Sequence, residues 1–521
     1  MIYQVYTRSF VDASGDGVGD LGGVTAKLDY LSWLGVDAIW LSPIYPSPMA
    51  DFGYDVSDYT NVDPLFGTLE DLDALIEEAH RLGIKVILDF VPNHTSDELP
   101  WFVESRSSRE NPRREWYIWR DPRPDGSPPN NWEGYFGGSA WEFDEATGQY
   151  YLRLFTKKEP DLNWRNPAVR EAMYDVMRFW FERGVDGLRI DVLWLLVKDD
   201  LFRDNPENPD WKEGDWLLDR QVRVYSADRP EVHEIVREMR AVADGYGDKV
   251  LVGEIYLPLE RLLTYYGEDL DGVHLPFNFG LVTMEGWDAQ TVQKLVDDYE
   301  AALPEGAWPN WVVGNHDVPR IATRAGAESA RLASVLLLTL RGTPTIYYGD
   351  EIGMEDVPVP PEKARDPQGK LFPGYGRDPY RTPMRWDANP NVGFCPEGVE
   401  PWLLIGGYLE RVNVAAQHKD SGSMLNLTRR LLAIRRVKPA LARGSYETVE
   451  APEGCFAYLR KSGDERVLVA VNFGAEESEV PLPGGSEGLL LFSTFRGGDG
   501  SAVRGSLRLR RHEACLVELF D

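Results

Sequence analysis

Buried strands and amphipathic helices alternate along the first part of the chain. Short apolar runs predict strands at 2–6, 38–41 and 85–91, and apolar residues with helical spacing lie between them at 25–35 and 69–82. This order of strand, helix and strand is typical of parallel βαβ units, in which helices cover the faces of the sheet.

The alternation stops at about residue 96 and resumes after residue 165. The segment 96–165 is rich in Trp, Pro, Gly, Arg and Asn and has no helical period, so it predicts a subdomain inserted after the third strand. Further strands are predicted at 187–191, 250–255, 273–277, 311–314 and 345–348. Helices are predicted at 168–183, 232–242, 289–301 and 329–340. Eight strands with helices between most of them predict an α/β fold, a (β/α)8 TIM barrel.

The pattern changes again after the eighth strand. A loop rich in Pro and Gly is predicted at 352–420, and a helix at 423–436 follows it. From residue 440 onward, short alternating strands between Gly and Pro turns, such as 466–471 and 488–492, predict an antiparallel β-sandwich. The predicted domains are a barrel formed by 1–95 and 166–439, an inserted domain B at 96–165 and a C-terminal β domain at 440–521.

The composition narrows the classes of function. The net charge of −30 disfavours binding to nucleic acid or to an anionic membrane, because both need a basic face. No run of about 18 apolar residues occurs, and the start of the chain lacks a signal-peptide pattern. Cys395, Cys455 and Cys515 are few and odd in number and imply no disulfide framework. A cytoplasmic protein with a small-molecule partner is therefore expected.

The stretch 184–192 is the first candidate for chemistry. It reads Gly-Val-Asp-Gly-Leu-Arg-Ile-Asp-Val, a buried strand that ends on an acidic residue. Residues i and i+2 of a strand point the same way, so Arg189 and Asp191 share one face. A guanidinium beside a carboxylate keeps that carboxylate ionised, as a nucleophilic or charge-stabilising Asp requires. A structural ion pair explains this stretch alone equally well.

Other strand ends decide between these interpretations. Polar residues also follow four further predicted strands, in the runs 51–55, 89–94, 253–255 and 315–317. Active sites of (β/α)8 barrels lie at the carboxyl ends of the strands, so Asp191, Glu254 and Asp317 converge on one mouth. The sequence has no His-Glu-x-x-His metal motif, Gly-rich phosphate loop or Ser elbow at a strand end. Converging carboxylates with neutral His donors and aromatic residues suit glycosidic bond cleavage.

With these motifs the chain resembles the α-amylase superfamily, glycoside hydrolase family 13, and within it the oligo-1,6-glucosidase and α-glucosidase branch. The resemblance covers essentially the whole chain, and it includes a fifth motif, Pro-Asp-Leu-Asn-Trp at 160–164. The runs at 192–196 and 274–279 are also similar to those of Thermus-type α-glucosidases.

The resemblance implies that Asp191 is the nucleophile, Glu254 the general acid/base and Asp317 the stabiliser of the transition state. A retaining pair needs carboxyls about 5–5.5 Å apart, one ionised and one with a raised pKa. Arg189 is expected to keep Asp191 charged. Glu254 has no basic residue in its own motif and is expected to stay protonated in a closed pocket.

The resemblance also implies a set of residues that bind a terminal glucose. Asp51 and Arg381 are expected to pair and close the pocket behind the sugar, which means exo-action, although a loop-capping role would also explain Asp51. Glu159 stands where relatives have Gln, and this added carboxylate would change acceptor preference or raise the pKa of Glu254. The other expected contacts are Tyr54, His94, Phe136, Phe155, Arg189 and His316. Packing alone would also explain the two phenylalanines.

The polar loop 12–20 reads Asp-Ala-Ser-Gly-Asp-Gly-Val-Gly-Asp. Oxygen-bearing residues at loop positions 1, 3, 5 and 9, with Gly at position 6, imitate an EF-hand, but position 12 is Gly23 and a strand precedes the loop. The loop instead resembles the small structural Ca²⁺ (or Mg²⁺) site of this branch, where Asn is usual in place of Ser14. A Gly-rich turn with solvated Asp residues is the alternative. The implied ligands are Asp12, Ser14, Asp16, Asp20 and the carbonyl of Val18, and no organic cofactor is expected.

The residue after the nucleophile is Val192, and in this branch Val there correlates with α-1,6 preference and Thr or Ala with α-1,4 preference. The expected reaction is release of terminal glucose from isomaltose-type bonds by double displacement through a glucosyl-enzyme. Alternatives on the same scaffold are α-1,4 or trehalose hydrolysis, glucosyl transfer and sucrose isomerisation. A non-catalytic transporter subunit is disfavoured, because such relatives have a membrane anchor and have lost the carboxylates.

Overall fold

Eight parallel strands form the centre of the molecule. The computed structural model describes residues 1–213, 217–372, 374–407, 409–495 and 499–520. The central strands are β1 Ile2–Val5, β2 Ala38–Leu41, β3 Lys85–Phe90, β4 Gly187–Ile190, β5 Val250–Gly253, β6 Leu275–Pro276, β7 Asn310–Val312 and β8 Thr343–Tyr347. Their order is β7-β8-β1-β2-β3-β4-β5-β6, and a parallel bridge between Asn278 and Trp311 brings the two ends together. The predicted barrel is confirmed.

Helices cover the barrel because each has an apolar face. In Leu69–Arg81, for example, Thr68 and Asp71 form a capping box, and the buried residues are Leu72, Leu75, Ile76 and Ala79. The helices of the barrel are Leu21–Thr25, Leu28–Leu34, Leu69–Arg81, Pro167–Glu182, Val232–Asp244, Leu259–Leu263, Gly280–Thr283, Ala289–Ala302, Ile321–Arg324 and Gly326–Thr339. After β8 follow Pro367–Leu371, Val414–Lys419, Met424–Val437 and Pro439–Arg443. Within the described ranges, no helix has both the length and the apolar character that a membrane crossing needs.

The segment 96–165 forms a small antiparallel sheet after β3. Its strands lie in the order Trp119–Arg120, Gln149–Leu152 and Trp141–Asp144. It also contains the helix Pro100–Ser107, which the sequence pattern did not predict because its apolar residues are adjacent rather than spaced along one face. An antiparallel bridge between His94 and Asp161 returns the segment to the barrel. The insertion therefore stands beside the carboxyl end of β3.

The C-terminal part forms an eight-stranded antiparallel sheet. Its strands, in sheet order, are Ser445–Val449, Cys455–Ser462, Glu465–Asn472, Ala514–Phe520, Glu487–Ser493, Ala502–Arg504, Ser506–Leu509 and Ser478–Pro481. The last strand of this order folds back onto the second, so that Val480 and Leu459 share one apolar core. The sheet thus packs against itself as a sandwich does.

Two of the predicted barrel elements differ clearly in extent from their predicted bounds. The helix expected at 25–35 begins earlier and is divided into Leu21–Thr25 and Leu28–Leu34, because Lys27 departs from helical backbone angles. The strand expected at 273–277 is shortened to Leu275–Pro276, since Pro276 has no N–H for the ladder. Neither difference moves the carboxyl ends of the strands away from one mouth.

Candidate active site

The register of the central strands sets Asp191 and Glu254 side by side. Ile190, at the end of β4, lies level with Gly253, at the end of β5. One residue further, the N–H of Glu254 donates to the carbonyl of Ile190 at 3.0 Å. Both carboxyl groups therefore leave the barrel at the same level, and both residues are buried.

Arg189 is the centre of the charge network. Its Nη1 atom lies 2.7 Å from Asp89 Oδ1 and 2.9 Å from Asp191 Oδ1, and its Nη2 atom lies 2.7 Å from Glu254 Oε2. One planar guanidinium thus binds both carboxyls of the predicted pair and holds them close together. The sequence predicts Asp191 alone as its partner. The contact with Glu254 comes across from a neighbouring strand, which no local motif reveals.

The hydrogen bonds of Glu254 distinguish its two oxygens. Oε2 accepts the backbone N–H of Val192 at 2.9 Å in addition to the contact with Arg189. Oε1 is therefore the oxygen that is left to carry a transferable proton. Burial raises the pKa of Glu254, Arg189 opposes this and the charge of Asp317 adds to it. The acid form persists to higher pH than for an exposed Glu.

Asp191 shares this dry environment. Burial raises the pKa of its carboxyl, against the attraction of Arg189, and the charges of Glu254 and Asp89 add to the rise. Two carboxyls beside one cation titrate as a pair, in which one group holds a proton while the other is ionised. A carboxylate and an acid are then present together, as a nucleophile and a general acid require.

Asp317 stays ionised. Its Oδ1 atom lies 2.8 Å from Arg381 Nη2 and 3.1 Å from Arg377 Nη1, and its Oδ2 atom lies 3.3 Å from His316 Nε2. Although burial works in the other direction, the positive charges of Arg381 and Arg377 lower the pKa of Asp317 below its usual value. A permanent negative charge at this position suits stabilisation of positive charge on a sugar ring.

A chain of polar contacts holds His316 in the wall of the site. Gln4 Nε2 lies 2.7 Å from its Nδ1 atom, and Tyr54 Oη lies 2.6 Å from its Nε2 atom, with the two rings parallel. Tyr54 and Trp40 in turn donate to Asp89 Oδ2 at 3.0 and 3.2 Å. Burial lowers the pKa of His316, so its ring is neutral. Gln4 and Trp40 were missed, because a single polar or aromatic residue in a buried strand carries no signal.

The predicted pair of Asp51 with Arg381 is wrong. Asp51 Oδ1 lies 2.5 Å from Nη2 of Arg377, whereas Arg381 donates to the carbonyl of His316 at 2.7 Å and binds Asp317. The two arginines stand four residues apart on either side of a 3-10 turn, Asp378–Tyr380, which directs them to different partners. Burial raises the pKa of Asp51 to about 6, and Arg377 opposes the rise.

Arg377 closes one side of the site. Besides Asp51 and Asp317 it binds Asp366 at 2.7 Å, and its guanidinium lies over the ring of Phe136 at 4.9 Å. Asp366 and Arg377 were both missed, since they lie in the loop after β8, where the sequence has no periodic pattern. The only indication in the sequence was that this loop has two Arg residues close together, Arg377 and Arg381, either of which could pair with Asp51.

Asp191, Glu254 and Asp317 line one cavity of about 350 Å³. Of the predicted binding residues, Arg189 and Arg381 lie outside its lining and act through the carboxylates, and Glu159 lies behind His94. The predicted residues that line it are Asp51, Tyr54, His94, Phe136, Phe155, Asp191, Glu254, His316 and Asp317. Val192, on which the linkage prediction rests, also lines the cavity. Lining residues without a predicted contact are Tyr135, Trp194, Leu195, Tyr256, Val318, Gln368 and Arg377. The walls are largely aromatic or aliphatic, which suits the apolar faces of a sugar.

The loop 12–20 lies apart from this cavity and is closed by its own hydrogen bonds. Both oxygens of Asp12 accept backbone N–H groups, at 2.6 and 2.8 Å, and so do both oxygens of Asp20, at 2.8 and 2.7 Å. Asp16 accepts the N–H of Val18 at 2.9 Å, and Ser14 donates to Asp12 at 3.1 Å. Among the described residues, no three His, Cys, Asp or Glu side chains are grouped to share a metal ion. The loop has the oxygen donors of a hard cation site and uses them here for backbone hydrogen bonds.

Comparison with known proteins places the chain among sugar-processing enzymes. The profile of the α-amylase catalytic domain matches residues 4–444. A probable α-glucosidase of Rhizobium meliloti (strain 1021) is 44% identical over 501 residues, which cover 93% of this chain and 90% of that protein. An oligo-1,6-glucosidase of Parageobacillus thermoglucosidasius is 39% identical over 523 residues, which cover 93% and 91%.

Relatives with other activities are almost as similar. A trehalose-6-phosphate hydrolase of Bacillus subtilis (strain 168) is 37% identical over 521 residues, which cover 93% of this chain and 90% of that protein. The crystal structure of an α-glucosyl transfer enzyme, XgtA, has a TM-score of 0.93 at 40% identity, and the match covers 100% of this chain and 98% of that one. Overall likeness therefore does not select one activity among these.

Proposed function

The chain belongs to the α-amylase family of glycoside hydrolases, and from that premise we propose that it is a retaining, exo-acting α-glucosidase that releases terminal glucose from short α-glucosides. The observation that carries the proposal is the contact of Arg189 with both Asp191 and Glu254, which line one cavity. A carboxylate and a carboxylic acid held side by side are the two groups that retaining hydrolysis uses.

Two displacements at the anomeric carbon make up the proposed reaction. In the first, an oxygen of Asp191 bonds to this carbon while Glu254 gives its proton to the departing glycosidic oxygen. Arg189 holds one oxygen of Asp191, so the other is the attacking atom. In the second, Glu254 takes a proton from water, and the water oxygen displaces Asp191. Two inversions retain the α configuration, and the negative charge of Asp317 stabilises the positive ring in both steps.

Exo-action is supported by the contact of Asp51 with Arg377, which closes the cavity. The volume of about 350 Å³ is near the lower end of small-molecule sites, which span about 300–1,000 Å³. A terminal sugar of a short substrate fits such a space better than the middle of a long polysaccharide does.

The preference for α-1,6 bonds is proposed from Val192, whose side chain lines the cavity while its N–H binds Glu254. We expect the purified enzyme to have a higher kcat/KM for isomaltose than for maltose. In the variant Val192→Thr, which replaces one methyl group of the cavity wall by a hydroxyl of similar size, this ratio is expected to move toward maltose by about tenfold. Initial rates of glucose release from both disaccharides measure it.

A matched control for this substitution is Val103→Thr, because Val103 is exposed on the inserted segment and away from the cavity. Its ratio should equal that of the unchanged enzyme. Much faster turnover of maltose by the unchanged enzyme would reject the linkage proposal, and it would leave the α-glucosidase proposal intact.

Glucosyl transfer is a second candidate, and the aromatic wall favours it. Tyr256 is held by parallel stacking on Phe279 at 3.9 Å, and Trp194 lies beside it. An acceptor sugar can pack its apolar face against such a wall, whereas a water molecule that attacks the same intermediate gains nothing from it. The products formed from concentrated disaccharide distinguish the candidates, since hydrolysis gives only monosaccharides and transfer gives new oligosaccharides or isomers.

A phosphorylated disaccharide is disfavoured as the substrate. Arg377 is the one Lys or Arg that lines the cavity in the described part of the chain, and it is bound to Asp51, Asp317 and Asp366. A phosphate group would need an uncommitted cation. The cavity therefore suits a neutral sugar.

We also propose, from its oxygen donors, that the loop 12–20 binds a structural Ca²⁺ (or Mg²⁺), with Asp12, Ser14, Asp16, the Val18 carbonyl and Asp20 as ligands. The expected result is a melting temperature a few degrees higher in 1 mM Ca²⁺ than in EDTA, because a ligand of the folded state stabilises it by mass action. Asp16→Asn should reduce this difference, since Asp16 is the least committed carboxylate. Equal melting curves in Ca²⁺, Mg²⁺ and EDTA would contradict the proposal.

We also propose a location for the protein, its domain borders and a nearer group of relatives. A cytoplasmic location agrees with Cys395, Cys455 and Cys515, which are all unpaired. The domain borders near 95, 165 and 439 agree with the small sheet inside 96–165 and the antiparallel sheet after 440. The nearer likeness to Thermus-type α-glucosidases rests on the sequence runs alone.

A further inference from the structure

His94 and Glu159 face each other through two atoms that lack a well-formed hydrogen bond. His94 Nε2 lies 3.5 Å from Glu159 Oε1. Within the described residues neither atom has a hydrogen bond of normal geometry, and the backbone of Tyr54 is the other group beside the His94 ring. His94 lines the cavity, whereas Glu159 is fully buried behind it. An unsatisfied buried polar atom destabilises a fold. Two such atoms side by side therefore call for an explanation.

The contacts behind His94 establish where its proton lies. Lys198 Nζ donates to Asn93 Oδ1 at 2.7 Å, which fixes the orientation of the amide. Asn93 Nδ2 then donates to Asp161 Oδ2 and to His94 Nδ1, both at 3.1 Å. Burial, with Lys198, lowers the pKa of His94 to about 3, so the ring is neutral. With Nδ1 as an acceptor, the proton is on Nε2, and that N–H is the one next to Glu159 Oε1.

Glu159 presents one committed and one uncommitted oxygen. Its Oε2 atom accepts the N–H of Thr156 at 2.8 Å, which holds the side chain in place. Its Oε1 atom has only the His94 N–H beside it. Burial raises the pKa of Glu159, and the nearby charges of Asp51 and Asp55 add to the rise. Glu159 therefore changes from a weak acceptor to a strong one at a higher pH than an exposed Glu does.

We propose that Glu159 is a positioning residue for His94: its Oε1 atom holds the Nε2–H of His94 when no sugar hydroxyl is bound, and the protonation of Glu159 sets how readily that N–H turns to the substrate. A neutral carboxyl is a weak competitor for the N–H, and a carboxylate is a strong one. This inference rests on the proposed α-glucosidase function, in which His94 binds the terminal sugar.

Other charged groups surround Glu159 and His94. Asp51 and Asp55, in the loop after β2, and Arg153, in the inserted segment, interact with Glu159, and Lys198, in the loop after β4, acts on His94. Burial raises the pKa of Asp51 to about 6, so Asp51 titrates within the pH range of the test below. A change in pH alone therefore does not isolate Glu159, and the substitution of this one residue is needed.

The test compares Glu159→Gln and Glu159→Leu with the unchanged enzyme between pH 5 and 9. In the unchanged enzyme, KM for the best disaccharide should rise with pH because ionised Glu159 retains the His94 N–H, whereas the loss of the Glu254 proton lowers kcat and is shared by all the Glu159 variants. In Glu159→Gln, which keeps a neutral acceptor, this rise in KM should be absent. In Glu159→Leu, which has no acceptor to compete for the His94 N–H, KM should also be independent of pH and should be no higher than that of Glu159→Gln.

Two further measurements keep the outcomes separate. Glu145→Gln is the matched control, since Glu145 is exposed on the same inserted segment, and its KM profile should equal that of the unchanged enzyme. Calorimetric titration with glucose over the same pH range reports binding without turnover. If the unchanged enzyme hydrolyses no α-glucoside, the proposed function fails, and the glucose affinities of the Glu159 variants still test the positioning role. Superimposable pH profiles of KM and of glucose affinity for Glu159→Gln and the unchanged enzyme would overturn the inference, even if Glu159→Leu does not fold.

Discussion

Replacement of Asp191 by Asn is expected to lower kcat for the best disaccharide by about 10⁴-fold or more, the usual effect of the loss of a covalent nucleophile. The amide has the shape of the carboxyl and still offers an acceptor to Arg189, so the fold should be retained. What is lost is the carboxylate oxygen that bonds to the anomeric carbon. Rates of glucose release, measured beside a melting curve, separate this chemical loss from unfolding.

A smaller variant, Asp191→Ala, tests the same role through stereochemistry. Azide can occupy the space left by the carboxyl and attack the anomeric carbon from the same face, so the expected product from 4-nitrophenyl α-glucoside is the β-glucosyl azide. Asp200→Asn is the control, because Asp200 is exposed and nearby in sequence, and it should keep full activity. More than about 1% of the activity in Asp191→Asn, with no azide product from Asp191→Ala, would refute the assignment.

The positions of the three candidate carboxylates could be predicted because they depend on where the strands end. Parallel strands end at one edge of the barrel, so Asp191 and Glu254, directly after β4 and β5, and Asp317, five residues after the end of β7, are expected near each other. Ile190 is level with Gly253, and this pairing alone sets Asp191 beside Glu254. The alternation of apolar and polar residues shows where each strand ends, so the carboxyl positions can be predicted without knowing the conformation of any loop.

Contacts made by the long loop after β8 could not be predicted in the same way. Arg377 and Arg381 differ by one turn of backbone, and either could have faced Asp51. The choice depends on Asp366, which binds Arg377 from within the same irregular loop. A segment without periodic apolar residues gives no indication of which side chains share a face.

The backbone conformation of Val192 could not be predicted from the sequence either. Its φ of 36° is unusual for a β-branched residue, and it aims the N–H at Glu254 Oε2. Nothing in the identity of a Val predicts this conformation, since a Gly would be the ordinary choice. Val192 thus contributes to the site twice, through a side chain that lines the cavity and through a backbone N–H that donates to Glu254. The sequence indicated only the first.

Replacement of Glu254 by Gln is expected to lower kcat/KM for isomaltose by about 10²–10⁴-fold, the usual contribution of general acid–base catalysis. The amide oxygen can still accept from Val192 and Arg189, so the side chain should stay in place. A substrate whose leaving group needs no proton, such as 2,4-dinitrophenyl α-glucoside, should lose far less in the first step. Because the second step still lacks its base, a burst of dinitrophenol followed by slow turnover is expected, and stopped-flow absorbance measures both phases.

The pH dependence of activity gives a second test of Glu254 as the acid. Activity of the unchanged enzyme should fall as pH rises through the raised pKa of Glu254, since the proton for the leaving group is then lost. Glu254→Gln with the dinitrophenyl substrate should not show this alkaline fall in activity. The control is Glu260→Gln, because Glu260 is exposed on the following helix, and with isomaltose it should still show the fall. Azide with Glu254→Ala should give the α-glucosyl azide, because it attacks the face opposite the bond to Asp191. Opposite azide products from the Asp191 and Glu254 variants would assign the two carboxyls to opposite faces of the sugar, and a β-azide from both would show that Glu254 is not the acid/base.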